Sequence, residues 1–252
     1  MNTNRNEILS TITLAAGLLL TGTAARQAGA QTSAPTDIDV LNFALNLEYL
    51  EAEFYSYAVN GTGIDASLTG GAGTAGATTG GAKVAFADAN VAAIAAEIAQ
   101  DELTHVRFLR SALGGQAVAK PAINLAALGI GFANETEFLT VSRALEDVGV
   151  SAYAGGARFI QNRDLFEAAG RILGTEAFHA GNIRHLLLRR GITSVPAVDA
   201  KDILPTTNKQ FATDPTTGLA VARTPAEVLA IVRGANAAGG AFFPAGLNGN
   251  VR

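Results

Sequence analysis

The sequence predicts an all-α fold: a four-helix bundle with a long glycine-rich loop after the first helix and a C-terminal tail containing one short helix. Three observations support this prediction. Four stretches place apolar residues at helical spacing, no convincing period-two strand pattern interrupts them, and each stretch is about twice as long as an average helix. Long helices of similar length are what a bundle requires.

The bounds of the long helices follow from the apolar spacing. The predicted helices cover residues 37–59, 88–113, 135–160 and 163–190. The segment between the first two, residues 60–83, is rich in Gly, Ala and Thr and offers too little apolar surface to pack as a helix. We therefore expect a long surface loop there.

The other two connections predict how the helices are arranged. Residues 114–134 are enough chain to cross the length of a bundle and to bring the third helix to its far side. The third and fourth helices are joined tightly near Gln161 and Asn162. So short a connection predicts that these two helices are antiparallel neighbours.

The helical pattern ends after residue 190. The run Thr224-Pro225-Ala226-Glu227 is a capping box with proline at the first helical position, and it predicts one short helix. Apolar residues are otherwise too sparse in 191–252 to form a separate core. We expect this segment to pack as an extension on the bundle formed by residues 31–190.

Charge and cysteine content exclude several classes of function. The formal net charge is −4, and lysine and arginine are scattered along the chain, which argues against nucleic acid or an anionic membrane as a partner. The chain has no cysteine, so neither a disulfide nor a thiolate metal site can hold the fold together.

The N-terminus has the features of an export signal. Arg5 precedes an apolar stretch over residues 8–25, and Ala28-Gly29-Ala30 follows as a cleavage site of the A-x-A type. Polar residues dilute the apolar stretch, which favours cleavage over a retained anchor. We predict a signal peptide over residues 1–30, a periplasmic or secreted mature protein and no stable membrane span after cleavage.

Two Glu-x-x-His motifs carry the strongest chemical signal. They are Glu102-Leu-Thr-His105 and Glu176-Ala-Phe-His179, and they use two of the three histidines in the chain. Residues three apart lie on one face of a helix, so each motif can direct a carboxylate and an imidazole at one metal ion. A doubled motif is much more specific than a lone one.

Helical geometry places these glutamates on the apolar stripes of their helices. The first helix places Glu48 on its apolar stripe, and the third places Glu146 there. A buried carboxylate without a partner costs several kcal/mol or becomes neutral, so we expect cations between these acids. Glu51 is the second choice on the first helix, and Glu53 points away from the stripe.

Nearby residues have competing interpretations. Tyr55 and Tyr153 follow Glu48 and Glu146 by seven residues, and they are either donors or redox-active groups beside the metal or ordinary packing. The two motif histidines could be core residues that bind carboxylates without a metal. Three further polar residues are expected to face solvent: His185, Glu97 and Asp101.

The order Glu, Glu-x-x-His, Glu, Glu-x-x-His on successive helices resembles the ferritin-like superfamily of di-iron and di-manganese bundles. More closely, the chain resembles the exported bacterial ferritin-like proteins grouped with plant desiccation-related proteins. The resemblance is carried by residues 42–55 (NFALNLEYLEAEFY), the glycine-rich loop, residues 102–105, and residues 223–229 and 239–244 of the tail.

This resemblance implies a ligand set and a chemistry. It implies that Glu48 and His105 serve one metal ion, that Glu146 and His179 serve the other, and that Glu102 and Glu176 bridge the two. Iron is the first candidate for the two ions and manganese the second. The implied partner is a small oxidant, O₂ or H₂O₂.

Three functional hypotheses follow. The first is an oxidoreductase that oxidises Fe²⁺ or consumes peroxide in envelope stress. The second is a non-enzymatic structural or binding module in stress tolerance, because a fold alone does not specify a reaction. The third is a manganese catalase-like activity. A homo-oligomer is compatible with all three, whereas the long loop and tail argue against storage of iron in a large shell.

Overall fold

A computed structural model of the protein describes residues 34–194, 197–234 and 240–252. The predicted signal peptide, residues 1–30, lies outside these ranges. None of the helices in the described ranges is both long enough and apolar enough to span a bilayer.

The predicted all-α bundle is confirmed. Its helices are α1 (Asp37–Asn60), α2 (Ala89–Leu113), α3 (Glu135–Gly156), α4 (Arg163–Arg189) and the short α5 (Pro225–Val232). Three of the long helices end within one residue of the predicted bounds, whereas α3 is shorter than predicted and continues as a 3-10 turn over Ala157–Phe159. Two successive glycines, Gly155 and Gly156, weaken the helix at that point.

Side-chain caps fix the start of each helix. Thr36 and Asp39 form a capping box at α1, and Thr224 and Glu227 form the predicted capping box at α5. Asn134 accepts a hydrogen bond from the Glu137 N–H at the start of α3 (3.0 Å). These caps bind backbone N–H groups that a helix leaves without partners in its first turn.

The helices pack as two antiparallel pairs, α1 with α2 and α3 with α4, and α1 faces α3 across the centre. Contacts from the start of α3 to the end of α4, such as that of Glu135 with Arg190, show the antiparallel course of this pair. Glu48 of α1 contacts Tyr153 of α3 and Tyr55 contacts Glu146, so α1 and α3 are antiparallel as well. Because α2 and α3 therefore run in the same direction, the connection between them must cross the length of the bundle.

The glycine-rich loop lies along this crossing connection. A two-residue strand in the loop, β1 (Thr78–Thr79), pairs in parallel with β2 (Ile123–Asn124) of the connection. Gly76 allows the two chains to approach closely, because an added Cβ would lie 2.2 Å from the Ala122 nitrogen. The loop is therefore mostly exposed, as predicted, but hydrogen bonds hold it against the connection.

The tail covers a polar face of α3. The Arg143 side chain donates to Asp202 of the tail at 2.8 Å, and Arg184 of α4 donates to Asp147 at 2.6 Å. Arg143 and Asp147 are both buried. This face is polar, but it packs against the tail through paired charges and does not face solvent.

The end of the chain returns to α1. Asn46, buried on α1, accepts a hydrogen bond from the Asn248 N–H at 3.1 Å and donates to the Asn248 carbonyl at 2.9 Å. Upstream, the Arg223 N–H donates to the Ser151 carbonyl of α3 at 2.9 Å. The extension thus contacts the bundle at Arg223 and again at Asn248.

Candidate metal centre

All of the predicted ligands meet at the centre of the bundle. Each long helix turns one glutamate inward, and Glu48, Glu102, Glu146 and Glu176 are each 0 % exposed. Two overlapping groups of side chains form, one of Glu48, Glu102, His105 and Glu176 and the other of Glu102, Glu146, Glu176 and His179. Within each group, the atoms that could bind a metal ion lie within 4.8 Å of one another.

Each histidine directs its Nδ1 atom at the carboxylates. His105 Nδ1 lies 3.2 Å from Glu48 Oε2, 3.3 Å from Glu102 Oε2 and 3.4 Å from Glu176 Oε1. A neutral imidazole carries at most one hydrogen on this nitrogen, so it cannot satisfy three acceptors. The convergence of these oxygens on one nitrogen is an arrangement that could hold a common cation.

On the other side of the centre, His179 Nδ1 lies 3.0 Å from Glu102 Oε1 and 3.4 Å from Glu146 Oε2. Despite these short distances, several buried atoms have no hydrogen-bond partner among the described residues: His179 Nδ1, Glu102 Oε1, Glu146 Oε2 and both carboxylate oxygens of Glu176. Buried polar atoms are almost always paired. The carboxylates and imidazoles present here suit iron or manganese, so this donor set fits two divalent cations.

Without cations, the burial of these groups and the charges around them shift the pKa values of several acids and histidines of the centre. Burial raises the pKa of Glu102 from its ordinary 4.5 to about 7, outweighing the contacts with the two histidines. Burial and the neighbouring Glu102 carboxylate raise the pKa of Glu176 well above its usual range. For His105, burial alone would lower the pKa, but Glu48 and the other acids raise it overall. In the metal-free protein, protons on Glu102, Glu176 and His105 would thus take the place of cations.

The two predicted tyrosines each donate to a carboxylate on the facing helix. The Tyr55 hydroxyl of α1 donates to Glu146 Oε1, and the Tyr153 hydroxyl of α3 donates to Glu48 Oε1. In both glutamates the second oxygen faces a histidine. The tyrosines therefore hold the carboxylates in orientation, while a redox role for them stays a prediction.

Asp101 makes a contact that sequence reasoning missed. It was expected to be solvated, but its carboxylate accepts a hydrogen bond from His179 Nε2 at 3.1 Å while its side chain stays 42 % exposed. This contact leaves Nδ1 of His179 free to face the centre. The only signal was its position directly before Glu102. The corresponding residue before Glu176 is Thr175, so the two histidines have different surroundings.

Glu51, the second choice on α1, lies outside both groups of possible ligands. It was weighed as an alternative to Glu48, but it is buried beside Glu176, and both of their carboxylates approach Gly149 of α3. Glu53 does point away from the centre, as predicted, and its carboxylate lies 3.5 Å from Lys120. His185 is exposed, as expected.

The centre can be approached from the seam between α2 and α4. A cavity of about 280 Å³ reaches His105 beside Phe108 and Arg171. Another cavity, of about 150 Å³, reaches His179 beside Asp101 and Phe178. Sequence reasoning found no access route, because a groove between two helices is made by packing.

Comparison with known proteins gives two findings. A family model described as "Ferritin-like domain" matches residues 36–189. The chain is also similar to "Desiccation-related protein PCC13-62" of Craterostigma plantagineum, with 28 % identity over 180 residues. That similarity covers 64 % of this chain and 56 % of the relative, so the chain spans little more than half the length of that protein.

Proposed function

This chain belongs to the ferritin-like domain family, and on that premise we propose that it is an exported dinuclear-metal protein that oxidises Fe²⁺ or consumes peroxide. One observation carries the proposal. Four helices bring buried carboxylates and two histidines into two overlapping groups that share Glu102 and Glu176. A purely structural bundle gains nothing from buried carboxylates that lack partners.

Charge balance supports two divalent cations. The ligand set contributes four carboxylates and two histidines. With neutral imidazoles, two divalent cations balance the four negative charges. Iron is the first candidate and manganese the second, since sites rich in carboxylates accept either and selection depends on availability.

The protein's own residues prepare and protect this site. Glu48 and Glu146 would each offer the oxygen that their tyrosine does not bind, and the histidines would offer Nδ1. Glu102 and Glu176 lie in both groups, so they would bridge. Full burial of the carboxylates excludes bulk water. When bound, two redox-active metal ions exchange two electrons with O₂ or H₂O₂, chemistry that no side chain provides unaided.

The cell envelope is the proposed place of action. The predicted signal peptide over residues 1–30 supports export, and the name of the plant relative supports a role in drying stress. That name also favours a second candidate, a non-enzymatic module in desiccation tolerance. A manganese catalase-like reaction is the third candidate, and it uses the same donor set.

Metal analysis followed by controlled oxidation tests the proposal. Protein purified from the envelope is analysed for metals, stripped, loaded anaerobically with Fe²⁺ and mixed with O₂ or H₂O₂ in a stopped-flow spectrometer. We expect about two ions per chain and a rapid absorbance change. Absence of bound metal at physiological loading would contradict the proposal and favour the structural module. Manganese in the purified protein with rapid release of O₂ from H₂O₂ would favour the catalase-like reaction.

A further inference from the structure

The centre contains a fifth buried carboxylate, Glu51, outside both of the groups described above. It lies on α1 one turn after Glu48 and is 4 % exposed. Its Oε1 atom lies against Gly149 of α3, where an added Cβ would be 3.0 Å from it. The same added Cβ would be 2.6 Å from Glu176 Oε2. Glycine at this position therefore leaves room for both carboxylates.

Among the described residues, Glu51 forms no ion pair, although Glu176 Oε1 lies 3.4 Å from His105 Nδ1. Glu176 Oε2 is buried and has no hydrogen-bond partner in the ranges that the structure describes. Burial and, after it, the charges of neighbouring carboxylates led by Glu176 raise the pKa of Glu51 well above the usual range. Two adjacent buried acids repel each other strongly unless a cation or a proton separates them.

Another buried glutamate on the same helix does have a counter-charge. Glu53 is also buried, and Lys120 lies 3.5 Å from its carboxylate as a counter-charge. Glu51 has no such counter-charge among the described residues, and the neighbouring charges that most affect its pKa are carboxylates. Two divalent cations would balance the carboxylates of the two groups but would leave Glu51 uncompensated, unless it contacts one of the cations itself.

We propose that Glu51 is a further ligand of the metal centre, which binds a cation together with Glu176 Oε2 in the space left by Gly149. This inference rests on the dinuclear centre of the proposed function. An added carboxylate strengthens binding of one ion and favours a higher metal charge, because it contributes a full negative charge at short range. Glu51 thus makes the two metal positions unequal.

Titration of the metal-free protein with Co²⁺ under anaerobic conditions tests the inference. Glu51→Gln keeps the shape of the side chain and removes its charge. We expect the wild type to bind about two ions and the variant to bind at least one of them about tenfold more weakly or worse. The visible Co²⁺ spectrum should change in the variant because a ligand is lost. Glu167→Gln, on the exposed surface of α4, is the matched control and should behave as the wild type.

Thermal unfolding gives a readout that separates a ligand from a structural acid. Without metal, Glu51→Gln should unfold at the same temperature as the wild type or higher, because repulsion with Glu176 is removed. The increase in Tm on adding Co²⁺ should shrink. A lower Tm without metal together with an unchanged Co²⁺-induced increase would assign Glu51 a structural role and overturn the inference.

A second variant keeps the test decisive if Glu51→Gln does not fold. Glu51→Asp retains the charge but withdraws the carboxylate by one methylene, so it should also lower the affinity for one Co²⁺ ion. A folded variant with wild-type Co²⁺ affinity and spectrum would overturn the role of Glu51 and leave the dinuclear centre intact. Failure of the wild type to bind Co²⁺ would overturn the dinuclear centre and with it the proposed function.

Discussion

Tyr153 of α3 donates its hydroxyl hydrogen to Glu48 Oε1 of α1, across the centre of the bundle. Tyr55 of α1 makes the reciprocal contact with Glu146 of α3. Each hydrogen bond occupies one carboxylate oxygen, and the other oxygen of the same carboxylate faces a histidine. The two pairs orient the carboxylates before any cation arrives, and preoriented ligands lose less freedom on binding.

Removal of either tyrosine hydroxyl should weaken metal binding without emptying the site. We expect Tyr153→Phe and Tyr55→Phe to bind about two Co²⁺ ions per chain with about 10-fold lower affinity, the lower end of the effect of losing such an outer contact. Tyr57→Phe, also on α1, is the control, because Tyr57 packs against Gly81 of the loop. Equal Co²⁺ affinities in all three variants would refute the orienting role.

Loss of both shared carboxylates should abolish loading. Glu102→Ala with Glu176→Ala removes the two residues common to both groups and also relieves buried repulsion, so the helices should persist. Metal content and circular dichroism measure the two effects. The control is Glu97→Ala with Glu167→Ala, which truncates one exposed glutamate on each of the same two helices, α2 and α4. Unchanged loading in the first double variant would rule out the site assignment.

The contact between Asp101 and His179 should make one metal position stronger than the other. Asp101→Asn is expected to lower the affinity for one metal ion by about 10- to 100-fold, because the carboxylate raises the basicity of the histidine. Thr175→Asp places a carboxylate at the corresponding position of the other motif and should raise the affinity for the other metal ion. Stepwise Co²⁺ titration resolves the two affinities. If neither variant changes either affinity, the contact with His179 has no part in metal binding.

Metal loading should release protons and become tighter as pH rises. Glu102 has a pKa of about 7, and the pKa values of Glu176 and both histidines are also raised, so cations must displace protons near neutrality. We expect Co²⁺ affinity to increase from about pH 6 to pH 8. Isothermal titration in buffers of different ionisation enthalpy measures the proton release. A pH-independent affinity would contradict the prediction.

The metal-free protein should lose stability as pH rises from 4.5 to about 7. Between pH 4.5 and about 7 the folded state holds a proton on Glu102 that the unfolded state has lost. The contribution of Glu102 to the free energy of unfolding therefore falls as pH rises. His105 has a pKa raised above 6.5 and acts in the same direction at higher pH. Thermal unfolding against pH measures the trend, which saturating Co²⁺ should remove. Glu102→Gln should flatten the metal-free curve.

The buried charges beneath the tail should matter for stability and not for metal binding. Asp147→Ala leaves Arg184 buried without its carboxylate partner, which costs about 3–5 kcal/mol of unfolding free energy. Denaturant unfolding measures the loss. Glu167→Ala removes the partner of Arg171 in an exposed pair and should change stability by less than about 0.5 kcal/mol. Similar losses in both variants would contradict the structural role of Asp147.

Local patterns explain why much of this protein could be predicted. The helical period determines which residues share a face, so the apolar stripes located the four long helices and placed Glu48, Glu102, Glu146 and Glu176 inward. Capping residues marked where helices begin, as at Thr224. The error at the end of α3 arose because the apolar pattern continues through the glycines.

The sequence by itself determined the helices, their inward faces and the types of donor, because these depend on residues close together in the chain. Only the tertiary structure decided which residues meet across helices: Asp101 with His179, Glu51 with Glu176 beside Gly149, and the tail with Arg143. Such contacts depend on the rotation and separation of helices that are distant in sequence. A period of 3.6 residues specifies a face of one helix but not what packs against it.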